Sequence, residues 1–119
     1  MTTTLRPPPA IAYDAILTVR VARTEATRVV VVMRGEADAA TTTLVSEVLS
    51  RVIADYAGDV VIDLAQLTFI DSATGRILAI AKDLLSCRGR HMAVRSPSRL
   101  AAIVLDVFGL TDLIETQVA

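Results

Sequence analysis

Ser72 is the hydroxyl in this 119-residue chain with the most suggestive neighbours. It follows Asp71, and the pair closes the stretch Val60-Val61-Ile62-Asp63-Leu64-Ala65-Gln66-Leu67-Thr68-Phe69-Ile70. A serine at the start of a helix can do three things. It can cap the helix, as Asp can, by accepting a bond from a free amide of the first turn. It can accept a phosphate, because an anion is tolerated at a helix N-terminus. A phosphoserine adds about −1.5 to −2 charges at pH 7, which beside Asp71 would make the surface strongly negative. Or it can act as a nucleophile, which requires a histidine base and a third orienting group. The third role is poorly supplied. His91 is the only histidine, and the pattern G-x-S-x-G is absent. His91 itself reads as a surface residue at a strand end.

Other chemistries find less. Asp55, Asp59, Asp63, Asp71 and Asp83 lack the spacing of a cation loop. No glycine-rich phosphate loop is present. Aromatic residues make up 3% of the chain, with no Trp, so bases have no stacking platform. The formal net charge is −1, and the basic residues are scattered apart from Arg88, Arg90, Arg95 and Arg99. Nucleic-acid binding calls for a basic stripe instead. Cys87 is the sole cysteine and cannot form an internal disulfide; it fits a reducing cytoplasm and reads as a small buried hydrophobe on a helix. Apolar runs such as Val29–Met33 fall far short of the roughly 20 residues a membrane span requires. The expectation is a cytoplasmic, non-catalytic binding module with no cofactor, no metal, no nucleic acid and no membrane partner.

These residues need elements to hold them. With 53% hydrophobic and 21% charged residues, the chain can bury a core of Val, Leu, Ile and Ala. Residues 1–12, with Pro7-Pro8-Pro9, read as an extended or disordered tail, and 13–119 as one domain. Ile16–Val21 alternates with period two, and Arg28–Arg34 holds an unbroken β-branched run. Together they predict a hairpin turning over Arg23–Thr27. Gly35-Glu36-Ala37-Asp38 reads as a loop. Leu44, Val45, Val48, Leu49, Val52 and Ile53 mark a helix over Thr41–Tyr56. Val60–Leu64 predicts a central strand, followed by a polar loop and then the pair Phe69-Ile70. A second helix over Ala73–Ser86 would bury Ile77, Leu78, Ile80, Ala81, Leu84 and Leu85. His91–Val94 predicts a short strand. Pro97 suits the first turn of a third helix, Ser98–Val107, which would bury Leu100, Ile103, Val104 and Val107. Leu113-Ile114 predicts a last short strand. The fold class is α/β, a mixed sheet of four to five strands with helices packed on it. Residues at the carboxyl ends of strands gather at one rim of such a sheet, so Asp38 and Ser72 are expected as neighbours.

The segment Ile62-Asp63-Leu64 followed by Phe69-Ile70-Asp71-Ser72 resembles the signature of STAS domains in bacterial anti-sigma factor antagonists. Gly35-Glu36-Ala37-Asp38 is similar to that family's turn before its first helix. Arg88-Gly89 falls where the family has a glycine, and Phe108-Gly109-Leu110 resembles its closing motif. The anchors run in order over about residues 15 to 116. The resemblance implies a STAS-like fold and a regulatory role in transcription. It implies that Ser72 is phosphorylated by an anti-sigma factor with serine kinase activity, which binds the unphosphorylated form and lets go of the phosphorylated one. It places Asp38, Asp71, Ser72, Ala73, Thr74 and Arg76 on the partner-binding surface, and it allows a weak homodimer. The chain departs from the family directly after the serine, where Thr74 stands in place of glycine and Gly75 in place of an apolar residue. Thr74 and Arg76 are therefore expected to tune partner choice. The same fold could also serve as a scaffold that binds partners without phosphorylation, such as a transporter-associated module.

Overall fold

The computed structural model describes residues 11–13 and 16–115. Five strands lie in one sheet in chain order: β1 (Ile11–Tyr13), β2 (Leu17–Glu25), β3 (Arg28–Ala37), β4 (Val60–Ile70) and β5 (Met92–Arg95). The first two pairings are antiparallel and the last two parallel, so the sheet is mixed. Helices α1 (Thr42–Asp55), α2 (Ser72–Ser86) and α3 (Arg99–Val107) make the crossovers and the return. Ile11 and Ala12, read from sequence as the end of the tail, belong to β1; residues 1–10 of that tail lie outside the described residues.

The predicted hairpin forms with a tighter turn. Only Ala26 and Thr27 separate Glu25 from its partner Arg28. Ala26 takes a φ of 55°, the left-handed conformation that two-residue turns demand. Arg23, Thr24 and Glu25, expected in the turn, continue β2. A bulge at Ala22 explains why the alternation was hidden: the pairing passes from Val21↔Val31 to Arg23↔Val30.

The longest correction is in β4. It runs unbroken to Ile70, where the sequence predicted a polar loop at 65–68. The partner is the end of β3, Arg34–Ala37, expected as a loop and found as strand. Irregularities in this pairing break the period of two, so Leu67 and Ile70 enter the core while Ala65, Gln66, Thr68 and Phe69 face out. Gly35 makes the arrangement feasible. Its φ is 108°, and a Cβ there would lie 2.0 Å from the Ile16 carbonyl oxygen, which accepts the Glu36 amide.

All three helices pack on one face of the sheet. Val45, Val48, Leu49, Val52 and Ile53 of α1 and Leu78, Ala81 and Leu85 of α2 meet Val29, Val31, Met33, Val60, Ile62 and Leu64. The stripe of α1 matches expectation, with Leu44 half-buried at its edge. Arg90 pins the end of α1, donating from Nε to Gly58 O at 2.9 Å and from Nη1 to Ile53 O at 2.7 Å.

The stripe of α3 differs. Ala101 and Leu105 are buried, whereas Leu100, Ile103 and Val107 are 41%, 60% and 71% exposed. Arg99 and Asp106, seven residues apart, share the outward face of this helix, and the exposed apolar residues flank them while Ala101 and Leu105 lie opposite. Its rotation is set by Ser98, which caps it with a bond from Ala101 N at 3.1 Å, and by the chain leaving β5. Pro97 consequently precedes the cap rather than occupying the first turn. Ile80 and Leu84 of α2, expected inside, are also about half exposed. Cys87, expected buried, is exposed at the C-cap of α2, two residues beyond Leu85 and so turned to the opposite side from that last inward position. Leu113 ends a short 3-10 turn rather than a strand, and Ile114 makes a single parallel bridge to Val94.

Among the described residues, the other face of the sheet carries no helix. Val30, Val32 and Val61 are buried there among Ala22 and Ala93. Strand alternation places Arg23, Glu25, Arg28 and Arg95 on the same face. Arg95 reaches Glu25 with two bonds, at 3.0 and 3.1 Å, and Glu115 at 3.2 Å; Arg28 pairs with Glu115 and Arg23 with Glu25. The aliphatic stems of the arginines screen the valines while their heads stay paired. The hydrogen bonds from Arg95, then those from Arg23, hold the Glu25 carboxyl down at about 2. The hydrogen bond from Arg28 also lowers the Glu115 carboxyl, and Glu25 holds the Arg95 proton more tightly.

Candidate functional site

β3 and β4 run parallel and end side by side, with Ala37 opposite Ile70. The next residue on each strand is an aspartate. Asp38 and Asp71 thus stand at one rim of the sheet, on strands about 4.8 Å apart. The Asp71 amide donates to the Ala37 carbonyl at 3.2 Å and locks the two chain exits together. The expected juxtaposition of the Asp38 turn and the Ser72 helix start is present.

Each aspartate opens a helical segment. Asp38 Oδ1 accepts the Ala40 amide at 2.9 Å, and the Asp38 amide donates to Thr41 Oγ1 at 3.0 Å. Asp71 Oδ1 accepts the Thr74 amide at 3.1 Å and the Thr74 hydroxyl at 3.4 Å. This decides between two roles of Ser72. Asp71 is the N-cap of α2 and Ser72 is the first helical residue, so the serine is not needed as a cap. Its side chain is exposed, beside the free amides and positive end of the helix.

The remaining residues expected on this surface divide. Ala73 is half-buried and Arg76 exposed. Thr74 is fully buried, so its side chain offers no face to a partner in this conformation. It is turned inward because its hydroxyl completes the cap on Asp71. A partner can feel Thr74 only through the position of Asp71.

Arg76, a cation in the first turns of a helix, is unfavourably placed for the helix dipole. Its guanidinium lies over the ring of Phe108, 6.0 Å from the centroid. Phe108 is there because Gly75 makes room. A Cβ on Gly75 would come within 2.8 Å of Phe108 Cδ2 and Cε2 and of Val104 Cγ1. Glycine inside a helix costs about 1 kcal/mol relative to alanine, and close packing is the usual reason to find one. That cost was the sequence signal for the α2–α3 contact. Phe69, 42% exposed, is a second aromatic on this end of the sheet. Among the described residues, no group of three His, Cys, Asp or Glu is arranged to hold a metal, and no helix is long and apolar enough to cross a membrane.

Comparison with known proteins gives one family. The STAS domain matches residues 18–118. Three solved structures share the fold. An anti-sigma factor antagonist from Mycobacterium paratuberculosis is 23% identical with a TM-score of 0.73, over 86% of this chain and 87% of that one. The anti-sigma factor antagonist SpoIIAA in its unphosphorylated form is 18% identical with a TM-score of 0.67, over 84% and 88%. The Bacillus cell fate determinant SpoIIAA in the phosphorylated form is 17% identical with a TM-score of 0.67, over 84% and 91%. Curated protein sequences provide no match. The mixed sheet with its helices on one face, the aspartate–serine helix start and the match across residues 18–118 agree, and the chain belongs to the STAS domain family.

Proposed function

We propose that this chain is an anti-sigma factor antagonist, a binding module that catalyses no reaction, and that Ser72 is its switch. The observation that carries the reading is the division of labour at the start of α2. Asp71 does the capping, which leaves the Ser72 hydroxyl exposed on a rim shared with Asp38. The similar structures include an antagonist described in unphosphorylated and phosphorylated forms, which supports a switch of this kind. The unphosphorylated rim binds an anti-sigma factor with serine kinase activity. The Ser72 oxygen takes the γ-phosphoryl group of ATP held by that partner. ADP leaves, and the hydroxyl proton passes to a base on the partner. The new charge beside Asp71 and Asp38 then repels or strands the surface that had docked there, and the complex dissociates.

The test is incubation with ATP and candidate anti-sigma kinases, followed by mass spectrometry and titration calorimetry. Phosphate is expected on Ser72 alone. Phosphorylated protein should bind about tenfold more weakly or worse, the counterpart of 1.4 kcal/mol. Ser72→Glu should lose part of that affinity and Ser72→Ala should keep it. Equal affinity of all four forms overturns the switch. Stable binding with no phosphate transferred would identify the chain as a scaffold of the same fold.

A further inference from the structure

Arg76 has one side-chain partner among the described residues, the Phe108 ring, and it stands four residues after Ser72 on the same helix. Positions i and i+4 are neighbours on a helix surface, about 5–6 Å apart at Cβ, and an anion placed N-terminal to a cation is the favourable order. Helical side chains also lean toward the N-terminus, so Arg76 leans over the turn that carries Ser72. Both side chains are exposed. In the unmodified protein no anion at position 72 competes for the guanidinium, and the ring of Phe108 holds it. A phosphate there offers three strong acceptor oxygens and nearly two negative charges. Arginine binds phosphate with two parallel bonds, which a contact to an exposed ring does not match.

We propose that Arg76 is the internal receptor for a phosphate on Ser72, its guanidinium leaving Phe108 to pair with the phosphate across one turn of α2. This rests on the reading of Ser72 as the phosphorylated residue. It adds a consequence at a distance. Phe108 lies at the end of α3 and packs directly on Gly75. Arg76 screens that ring in the unmodified protein, and its departure uncovers it beside the exposed Ile103 and Val107. Phosphorylation thereby changes two surfaces at once, the acidic rim and the end of α3. Arg76 is a positioning residue here and takes no part in phosphoryl transfer.

The experiment installs phosphoserine at position 72 during translation, so that no kinase is needed. The ³¹P shift is then titrated in the wild-type background, in Arg76→Lys and in Arg76→Gln. The helix N-terminus, Asp71 and Asp38 act on the phosphate equally in all three, so differences isolate residue 76. The second phosphate pKa is expected to be lower by about 0.3 unit or more in wild type than in Arg76→Gln, with Arg76→Lys between them. The Phe108 ring protons should shift on phosphorylation in wild type and stay put in Arg76→Gln. Identical titrations in all three backgrounds, with unmoved ring signals, overturn the proposal. Failure of the antagonist reading would appear in the kinase and calorimetry assays and leave this titration readable.

Discussion

The helix-free face of the sheet and its carboxyl rim are both rich in charge, and they use it differently. On the helix-free face Glu25 and Glu115 meet guanidinium groups, while Asp63 accepts the amide of Ala65. Glu25 is held by Arg95 and Arg23, and Glu115 by Arg28 and Arg95. At the rim, Asp38 and Asp71 meet backbone amides of their own turns. Arg76 rests on an aromatic ring rather than on either of them. Charges paired in this way serve to cover Val30 and Val61. A rim whose carboxylates only cap helices retains its charge toward solvent, where a partner or a phosphate can change the balance.

If the rim is held by packing behind it rather than by charge, the largest loss should come from Gly75. Gly75→Val should destabilise by about 2–3 kcal/mol, because its side chain would collide with Phe108 and Val104. Chemical denaturation would measure this, and a cost below 0.5 kcal/mol would show that α3 rides loosely on α2. Asp71→Ala should follow, at about 1 kcal/mol for a lost N-cap, while Asp71→Asn keeps the acceptor and should cost a few tenths. Equal losses for the two would mean that the charge and not the cap matters.

The network predicts a pH effect. The Glu25 carboxyl is depressed in the folded state, from its ordinary 4.5 to about 2. The unfolded chain therefore takes up protons first as the pH falls. The stabilisation is fully present above about 4.5 and drains away as the pH drops toward 2, and Glu115 acts in the same direction. Arg95→Met should shrink this acid dependence by lowering stability near neutrality, modestly because the pairs are partly solvated, while leaving stability near pH 2 little changed. A stability profile that is unchanged by Arg95→Met would break the comparison. The smallest effect belongs to Ser72→Ala, which should alter stability by less than about 0.5 kcal/mol, because the serine caps nothing. A clear loss in thermal unfolding would return Ser72 to a structural role.

Much of this architecture was legible in the residues. The β-branched runs at 29–33 and 60–64 and the period of the first helix are local signals that no tertiary contact opposed, and they placed strands and helix correctly. The order of anchors from Gly35 to Leu110 pointed to the STAS fold. What escaped was whatever depended on pairing or on rotation. Residues 65–68 are polar enough to read as a loop, yet they form strand because Arg34–Ala37 lies alongside to bond them. Cys87 read as buried because a helix pattern says how residues recur and not where the helix leaves the core.

The sequence by itself determined the three helices and the apolar centres of the hairpin and of the central strands, and that an aspartate and a serine open the second helix. Which of the two caps it was a choice between chemically similar oxygens, and only the geometry at Asp71 decided in favour of the aspartate. The depth to which α3 is buried was likewise undetermined, because Leu100, Ile103 and Val107 are apolar yet flank the charged face of Arg99 and Asp106. Gly75 lets α3 seat closely on α2, by leaving a space the size of a side chain into which Phe108 packs. Periodicity is a property of one segment, whereas caps, bulges and helix rotation are settled by atoms far apart in the chain, and those reside in the tertiary structure.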